Sequence, residues 1–404
     1  GVFATSSVLG PIIGGLFAGA DQILWINGWR WVFLINLPIG IVALFMVVSF
    51  LHVPHTPKKH RIDWLGAVTI VIAVVPLLLV AENGRDWGWD SALSIAMYVT
   101  GGVGIVLFIL AERAAKHEAL LPLSLFKSRT FSMATILGVI VGVGMFGGMM
   151  TLPLLLQIVM GATPTEAGFM MLPMVAGMMT ATIISGQITS KTGKYKMFMV
   201  IGPSLLALGY FYLTSFNADT EYWQASIGMI LIGLGLGQLM QTLTLAAQNS
   251  VPASEVGVAT ASATFFRQMG GTLGVAVFIS ILFNNLADTI PAAFKRTDVQ
   301  AGLKEAMQDP KVIGDPNNAE FLKGLQGGNM ADLAGKLNTD SSFLNNLDPR
   351  LARPFLIGFA DAGVTVFAIA GAVVAVAIVI AIFTKAPALR TKSAVQEAAA
   401  ANAH

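Results

Sequence analysis

Ten stretches of about twenty apolar residues recur along this 404-residue chain, near 1–20, 32–51, 64–81, 92–111, 131–158, 167–188, 197–216, 224–247, 256–284 and 355–384. A helix rises 1.5 Å per residue, so about twenty residues cross a hydrocarbon layer of roughly 30 Å. Lipid donates and accepts no hydrogen bonds, so each stretch must satisfy its own backbone and is expected to be helical. Composition points the same way. Hydrophobic residues make up 55% of the chain and charged residues 11%, where a soluble domain carries roughly 25% charged. The expected fold class is an all-α polytopic membrane protein of about ten spans.

Several function classes are excluded at this stage. A formal net charge of +2 is too small to point to nucleic acid. The chain has no cysteine, hence no disulfide and no thiolate metal site. Its histidines, His52, His55, His60, His117 and His404, lie in polar loops or at the terminus without ligand spacing. There is no phosphate-binding Gly-x4-Gly-Lys-Ser/Thr loop, no His-Glu-x-x-His and no Gly-x-Ser-x-Gly. No metal, no cofactor and no enzymatic activity are expected.

Lysine and arginine in the short loops set the expected orientation. One side holds Lys58, Lys59, Arg61, Arg113, Lys116, Lys127, Arg129, Lys191, Lys194, Lys196, Lys385, Arg390 and Lys392; the other holds Arg30 and Arg85. The first side is expected to be cytoplasmic, with the C-terminus on it, in a multi-pass protein of the cell membrane. Trp25, Trp29, Trp31, Trp87, Trp89 and Trp223 then fall at outer span ends, where amphipathic rings favour the interface. The polar segment 285–355 lies outside, with short amphipathic stretches at Ala301–Gln308 and Ala319–Leu325. It reads either as a solvated loop with interfacial helices or as a cap over the outer mouth.

Five patterns bear on mechanism. Gly10-Pro11 and Gly14-Gly15 sit inside the first apolar run, where proline bends a helix and glycines admit a close neighbour. Gly186, Lys191, Gly193 and Lys194 form a basic turn between two spans, suited to holding the negative ends of helices. Thr260, Thr264, Arg267, Gly271 and Gly274 lie within about 80° of one helix face. An intramembrane arginine should face protein or water, where it binds an anionic group or stabilises a gating state; otherwise it snorkels to the surface. Gln238, Gln241, Thr242, Gln248 and Asn249 share about 120° of another helix, as the lining of an aqueous cavity or as bonds between helices. Methionines at 145, 149, 150, 170, 171, 174, 178 and 179 crowd two adjacent spans, as an adaptable ligand surface or as plain packing. Asp361 is the remaining intramembrane acid, a protonation site or an interfacial residue. Asp63, Glu82, Glu112 and Glu166 read as interface residues at span ends.

The Gly10-Pro11-x-x-Gly14-Gly15 segment resembles the antiporter motif of the major facilitator superfamily, with Ser6 where a glycine is usual one turn earlier. The string Gly28-Trp29-Arg30-Trp31 through Asn36-Leu37-Pro38-Ile39-Gly40 resembles the loop and helix that follow it in fourteen-span drug:proton antiporters. Gly186 to Lys196 resembles the superfamily's basic cytoplasmic motif, with Ser190 replacing the usual acid. Ala263 to Gly274 is similar to the thirteenth span of the same antiporters.

This resemblance implies a major facilitator fold corresponding to spans five to fourteen, an N-terminally truncated piece of the multidrug efflux type. Residues 1–51 would end an N-terminal six-helix bundle and 52–130 would carry an extra helix pair. Residues 131–384 would form the C-terminal bundle, and 385–404 a cytoplasmic tail. It implies proton-coupled export of amphipathic small molecules by alternating access. The partners are the bilayer, the substrate and protons, with room for an accessory efflux subunit. The 404 residues alone are expected not to catalyse exchange, because the family's proton-coupling first span has no counterpart here. Rival readings are a transporter of one specific metabolite and a transport-dead sensor or scaffold.

Overall fold

The computed structural model describes residues 10, 13–50, 62–115, 118–252, 255–326, 344, 346–387 and 389. Among these residues, nine helices are long and apolar enough to cross a membrane: Gly28–Phe50, Trp64–Gly84, Ala92–Ala115, Arg129–Ile158, Pro164–Thr192, Lys196–Leu213, Tyr222–Asn249, Val256–Phe294 and Pro349–Phe383. They fall where nine of the ten apolar stretches were expected, and the chain is a multi-pass membrane protein. Most of the remaining stretch, near 1–20, lies outside the described residues, Pro11 included; residues 13–18 are helical. Lys58, Lys59, Arg61, Lys116, Arg390, Lys392 and all five histidines also lie outside them.

A two-residue hairpin opens the described part, with β1 (Gln22–Ile23) antiparallel to β2 (Ile26–Asn27). Leu24 and Trp25 turn the corner at φ +49° and +61°, the left-handed pair that a tight hairpin needs. A Cβ on Gly28 would overlap the carbonyls of Phe17 and Ala20, so only glycine lets the chain fold back here. Trp31 Nε1 donates to the Ile23 carbonyl at 2.8 Å and completes the corner. The first span is α1 (Gly28–Leu34) and α2 (Asn36–Phe50), and α2 is exposed along its whole length.

Next come α3 (Trp64–Trp87) and α4 (Ala92–Ala115), a helical hairpin packed on itself. A 3₁₀ turn, Leu123–Lys127, leads into α5 (Arg129–Ile158). The spans that follow are α6 (Pro164–Met170) continued by α7 (Leu172–Thr192), α8 (Lys196–Leu213), α9 (Tyr222–Asn249), α10 (Val256–Phe294) and, after the polar segment, α14 (Pro349–Phe383). Caps mark where several of them start and stop. Ser128 caps α5, Thr163 and Glu166 form a reciprocal box ahead of Pro164, and Gly193 ends α7 in the left-handed conformation.

These six spans share one apolar core, running from Leu137 and Leu155 on α5 through Leu206 and Tyr210 on α8 to Phe359 and Phe367 on α14. The closest pairing is α5 with α10. A Cβ on Gly142 would overlap the Arg267 carbonyl, and Cβ atoms on Gly270 and Gly274 would overlap the carbonyls of Val139 and Val143. Backbone therefore rests on backbone, as membrane helices do when small residues line the seam. The hairpin α3–α4 reaches this bundle through α3 against α10.

The described part of the polar segment between α10 and α14 is folded over 297–326. It forms α11 (Thr297–Ala306), α12 (Pro310–Gly314) and α13 (Pro316–Gln326), which cover the two expected amphipathic stretches. Both flanking spans run past their apolar limits, α10 to Phe294 and α14 back to Pro349. The reason is burial. Leu286, Ile290 and Ala293 of α10 join Val299, Leu303, Phe321 and Phe355 in one cluster, with Phe355 meeting Phe294 and Phe321 edge to face. Arg350 fastens this cluster through Asp309 and Asp348, each at 3.0 Å, and Arg353 holds Asp219 at 2.9 Å.

Two predictions follow from this packing. Gly270→Leu is expected to destabilise the protein by about 1–3 kcal/mol through overpacking, read as a lower Tm in detergent. Gly257→Ala, with open space around it, leaves the Tm unchanged. The second concerns acid. The Arg353 side chain holds Asp219, and the Arg350 side chain holds Asp309 and Asp348, below the usual carboxylate range. Carboxyls depressed in the folded state contribute stability above their ordinary value, near pH 4, and lose it as pH falls through the depressed values. Amide protection in 297–306 is therefore expected to drop below about pH 4, and Arg350→Ala to flatten that dependence.

Candidate functional site

A cavity of about 520 Å³ lies between α3 and α10. Its walls are mostly apolar: Phe146 from α5, Val275, Ala276, Ile279 and Phe283 from α10, and Trp89 just past the end of α3. Trp89 is seated by Gly84, where a Cβ would come within 2.6 Å of the indole ring. Glu82 and Asp86, one turn apart on α3, add two carboxylates, and Gln268, Thr272 and Ser280 add neutral polar groups along α10. An apolar cleft with a few convergent polar groups is the usual form of a small-molecule site. Aromatic faces beside carboxylates suit a ligand that is both apolar and cationic.

Arg267 precedes this wall in sequence and sits at the α5 seam, its Cβ 3.8 Å from the position of a Cβ on Gly138. It is half-buried, and its Nε has no hydrogen-bond partner among the described residues. Thr264, one turn before it, is also half-buried. Thr260 accepts from Gln248 Nε2 at 3.0 Å and donates to the Val256 carbonyl, tying α9 to α10. Gln238 and Thr242 are buried, and Thr242 donates to the Gln238 carbonyl within its own helix. Gln241 is exposed and lies against Gly186, a Cβ on which would stand 3.0 Å from the Gln241 Oε1. Asn249 donates to the Pro387 carbonyl at 3.2 Å. The polar stripe thus makes several bonds between elements.

Asp361 is exposed and stands in the fourth turn of α14, its carbonyl accepting from Thr365. Of the methionines, Met171, Met174 and Met178 are buried in the core, while Met150 is exposed. The basic turn forms one wall of an open groove of about 1070 Å³ with Lys191, Lys194 and Lys196, faced by Ala386 and Pro387. At the start of the chain, Gly10 is exposed, Gly14 half-buried and Gly15 buried. Gly15 abuts the first turn of α6: a Cβ there would be 2.8 Å from the Pro164 carbonyl, and Thr165 Oγ1 donates to the Gly15 carbonyl at 2.9 Å.

Residues 1–275 match the Major Facilitator Superfamily. The chain belongs to that superfamily. It is 34% identical over 302 residues to a tetracycline resistance determinant of Streptomyces rimosus, which covers 74% of this chain and 84% of the relative. It is 36% identical over 282 residues to the multidrug transporter protein MdtP of Bacillus subtilis, covering 70% of this chain and 51% of that one. Multidrug resistance protein 3 of the same organism is 31% identical over 316 residues, covering 78% and 59%. The chain spans little more than half the length of these two Bacillus relatives. It is thus a multi-pass membrane protein of a transporter superfamily.

Sequence reasoning missed most of the cavity wall. Gln268, Thr272, Val275 and Ile279 recur at i, i+4, i+7 and i+11, a stripe that helical spacing could have found. The pairing of that stripe with Glu82 and Asp86 needed the fold. An aromatic cation such as tetraphenylphosphonium is expected to bind this cavity and quench Trp89 fluorescence. Combining Glu82→Gln with Asp86→Asn should weaken it about tenfold, or about 1.4 kcal/mol. A neutral aromatic of the same size should bind both forms equally.

Proposed function

We propose that this protein exports amphipathic small molecules in exchange for protons, by alternating access, as a fourteen-span drug:proton antiporter. The observation that carries the reading is the cavity of about 520 Å³ with aromatic and carboxylate walls on a major facilitator scaffold. It suits molecules defined by shape and charge rather than by one hydrogen-bond pattern. The printed names of the relatives, a tetracycline resistance determinant and multidrug proteins, support the same substrate range. So does the resemblance of the glycine-proline segment, of Gly28–Gly40 and of Ala263–Gly274 to the antiporter strings.

In this reading Gly15 and Thr165 form the joint on which one half of the transporter moves against the other. Lys191 and Lys194, in a turn closed by Gly193, hold the cytoplasmic helix ends in one state. Arg267 supplies the fixed positive charge next to the cavity, and Gln238, Gln241, Gln248, Thr260 and Thr264 line the path toward the C-terminal side, which is cytoplasmic. Asp361 is a carrier of protons on the outer half of the last span.

The test uses the protein expressed with whatever its gene encodes before residue 1, in sealed inside-out vesicles. Added drug is expected to release protons from vesicles that hold a pH gradient, across a chemically varied panel. Response to a single compound would favour a dedicated metabolite carrier, and binding without flux a sensor. Arg267→Ala is expected to lower efflux at least tenfold, about 1.4 kcal/mol, with membrane abundance unchanged. A fall in step with abundance would make Arg267 a packing residue.

A further inference from the structure

We propose that Asp63 and Glu112 share one proton, making a proton-binding acid pair at the end of the α3–α4 hairpin that adjoins the basic loops. Both residues sit at span ends, where the sequence alone suggests solvated carboxylates. The fold puts Glu112 elsewhere: the residue is only 2% exposed. Asp63 caps α3 and is half-buried.

Three of the four carboxylate oxygens accept backbone N–H bonds. Asp63 Oδ1 accepts from Gly66 at 2.8 Å, Asp63 Oδ2 from Leu120 at 3.3 Å, and Glu112 Oε2 from Leu121 at 2.9 Å. The fourth, Glu112 Oε1, is buried and has no partner among the described residues. It points at Gly66, where a Cβ would stand 2.9 Å from it, 2.8 Å from the Asp63 Cγ and in overlap with Asp63 Oδ2. The two carboxyls therefore crowd one glycine and lie within about 6 Å of each other.

Two ionised carboxylates at that distance repel, and a buried charged oxygen without a donor is costly. One proton on Glu112 removes the repulsion and leaves its buried oxygen uncharged. No arginine or lysine among the described residues forms an ion pair with either acid. Among the described residues, Asp63 is the charged group that faces Glu112, while Arg113 on its own helix, Glu118 in the linker and Lys127 in the following 3₁₀ turn are exposed. The Thr69 hydroxyl, about one turn beyond Gly66 on α3, is spent on the carbonyls of Leu65 and Gly66. Half-buried Asp63 gives the proton a route to water.

The location gives the pair a consequence. Leu120 and Leu121 belong to the short linker that joins the hairpin to α5, and the two acids hold that linker by its amides. Proton occupancy thus acts at the junction between the hairpin and the six-span bundle.

Infrared difference spectra of the protein in liposomes, recorded across pH 5 to 9, test this directly and need no transport. The wild type is expected to show a protonated-carboxyl C=O band that grows in as pH falls. Glu112→Gln, which keeps an acceptor for Leu121, should remove that band. Asp63→Asn, which keeps the α3 cap, should move the pH at which the band grows in, because Glu112 no longer answers to a second acid. A band unchanged in Glu112→Gln, or a midpoint unmoved in Asp63→Asn, would overturn the pair. Because the readout is a vibrational band, it stands whether or not drug-driven proton flux is found.

Discussion

The backbone contact between α5 and α10 governs the rest of the molecule. Gly142, Gly270 and Gly274 leave no side chain between the two helices, so their separation is set by carbonyl and Cα atoms. In lipid the hydrophobic effect does not drive one apolar helix onto another, and close van der Waals contact must do that work. The seam sets the height and rotation of α10. It thereby decides which α10 residues face α5 and which face α3. Arg267 falls at the seam and Gln268, Thr272 and Ile279 fall on the open side, where the cavity forms.

Polar and charged groups are distributed according to what can satisfy them. At the end that carries α11 to α13, Arg350 ties Asp309 of the small helical cluster to the start of α14, and Arg353 ties the same helix to Asp219 in the loop between α8 and α9. These pairs are partly exposed, and such pairs contribute modestly. The aromatic cluster around Phe355 contributes the larger share through buried apolar area. At the far end of the α3–α4 hairpin, backbone amides rather than basic side chains satisfy Asp63 and Glu112. Between the ends, amides and hydroxyls on α9 and α10 bond across elements.

The membrane spans were legible because the bilayer imposes one rule on all of them. A run of about twenty apolar residues has no alternative to a helix in hydrocarbon. Where that rule stopped, so did the legibility. The tops of α10 and α14 carry too many polar residues to read as spans, and they are helical because their apolar faces meet α11 and α13. Glu112 and Glu82 looked alike in sequence, both acids near a span end. One is buried beside Asp63 and the other lines a cavity with Trp89. Only the partner across space separates them.

The sequence by itself determined that this is a helical membrane protein, where its spans fall, and its resemblance to the superfamily that its similarity to known transporters then established. Those properties rest on local apolarity and on short strings of glycine, proline and charge, which need no neighbour to be read. The tertiary structure decided which faces meet. It turned the glycines of α5 and α10 toward each other, joined Gly15 to Thr165 across 150 residues, folded the polar segment onto two helix tips, and brought Glu82 and Asp86 to the open side of α10. A helix presents every direction to its surroundings, and the sequence of one helix does not say which neighbour will occupy which direction. That choice is made by packing, through the few places where side chains are small enough for two backbones to touch.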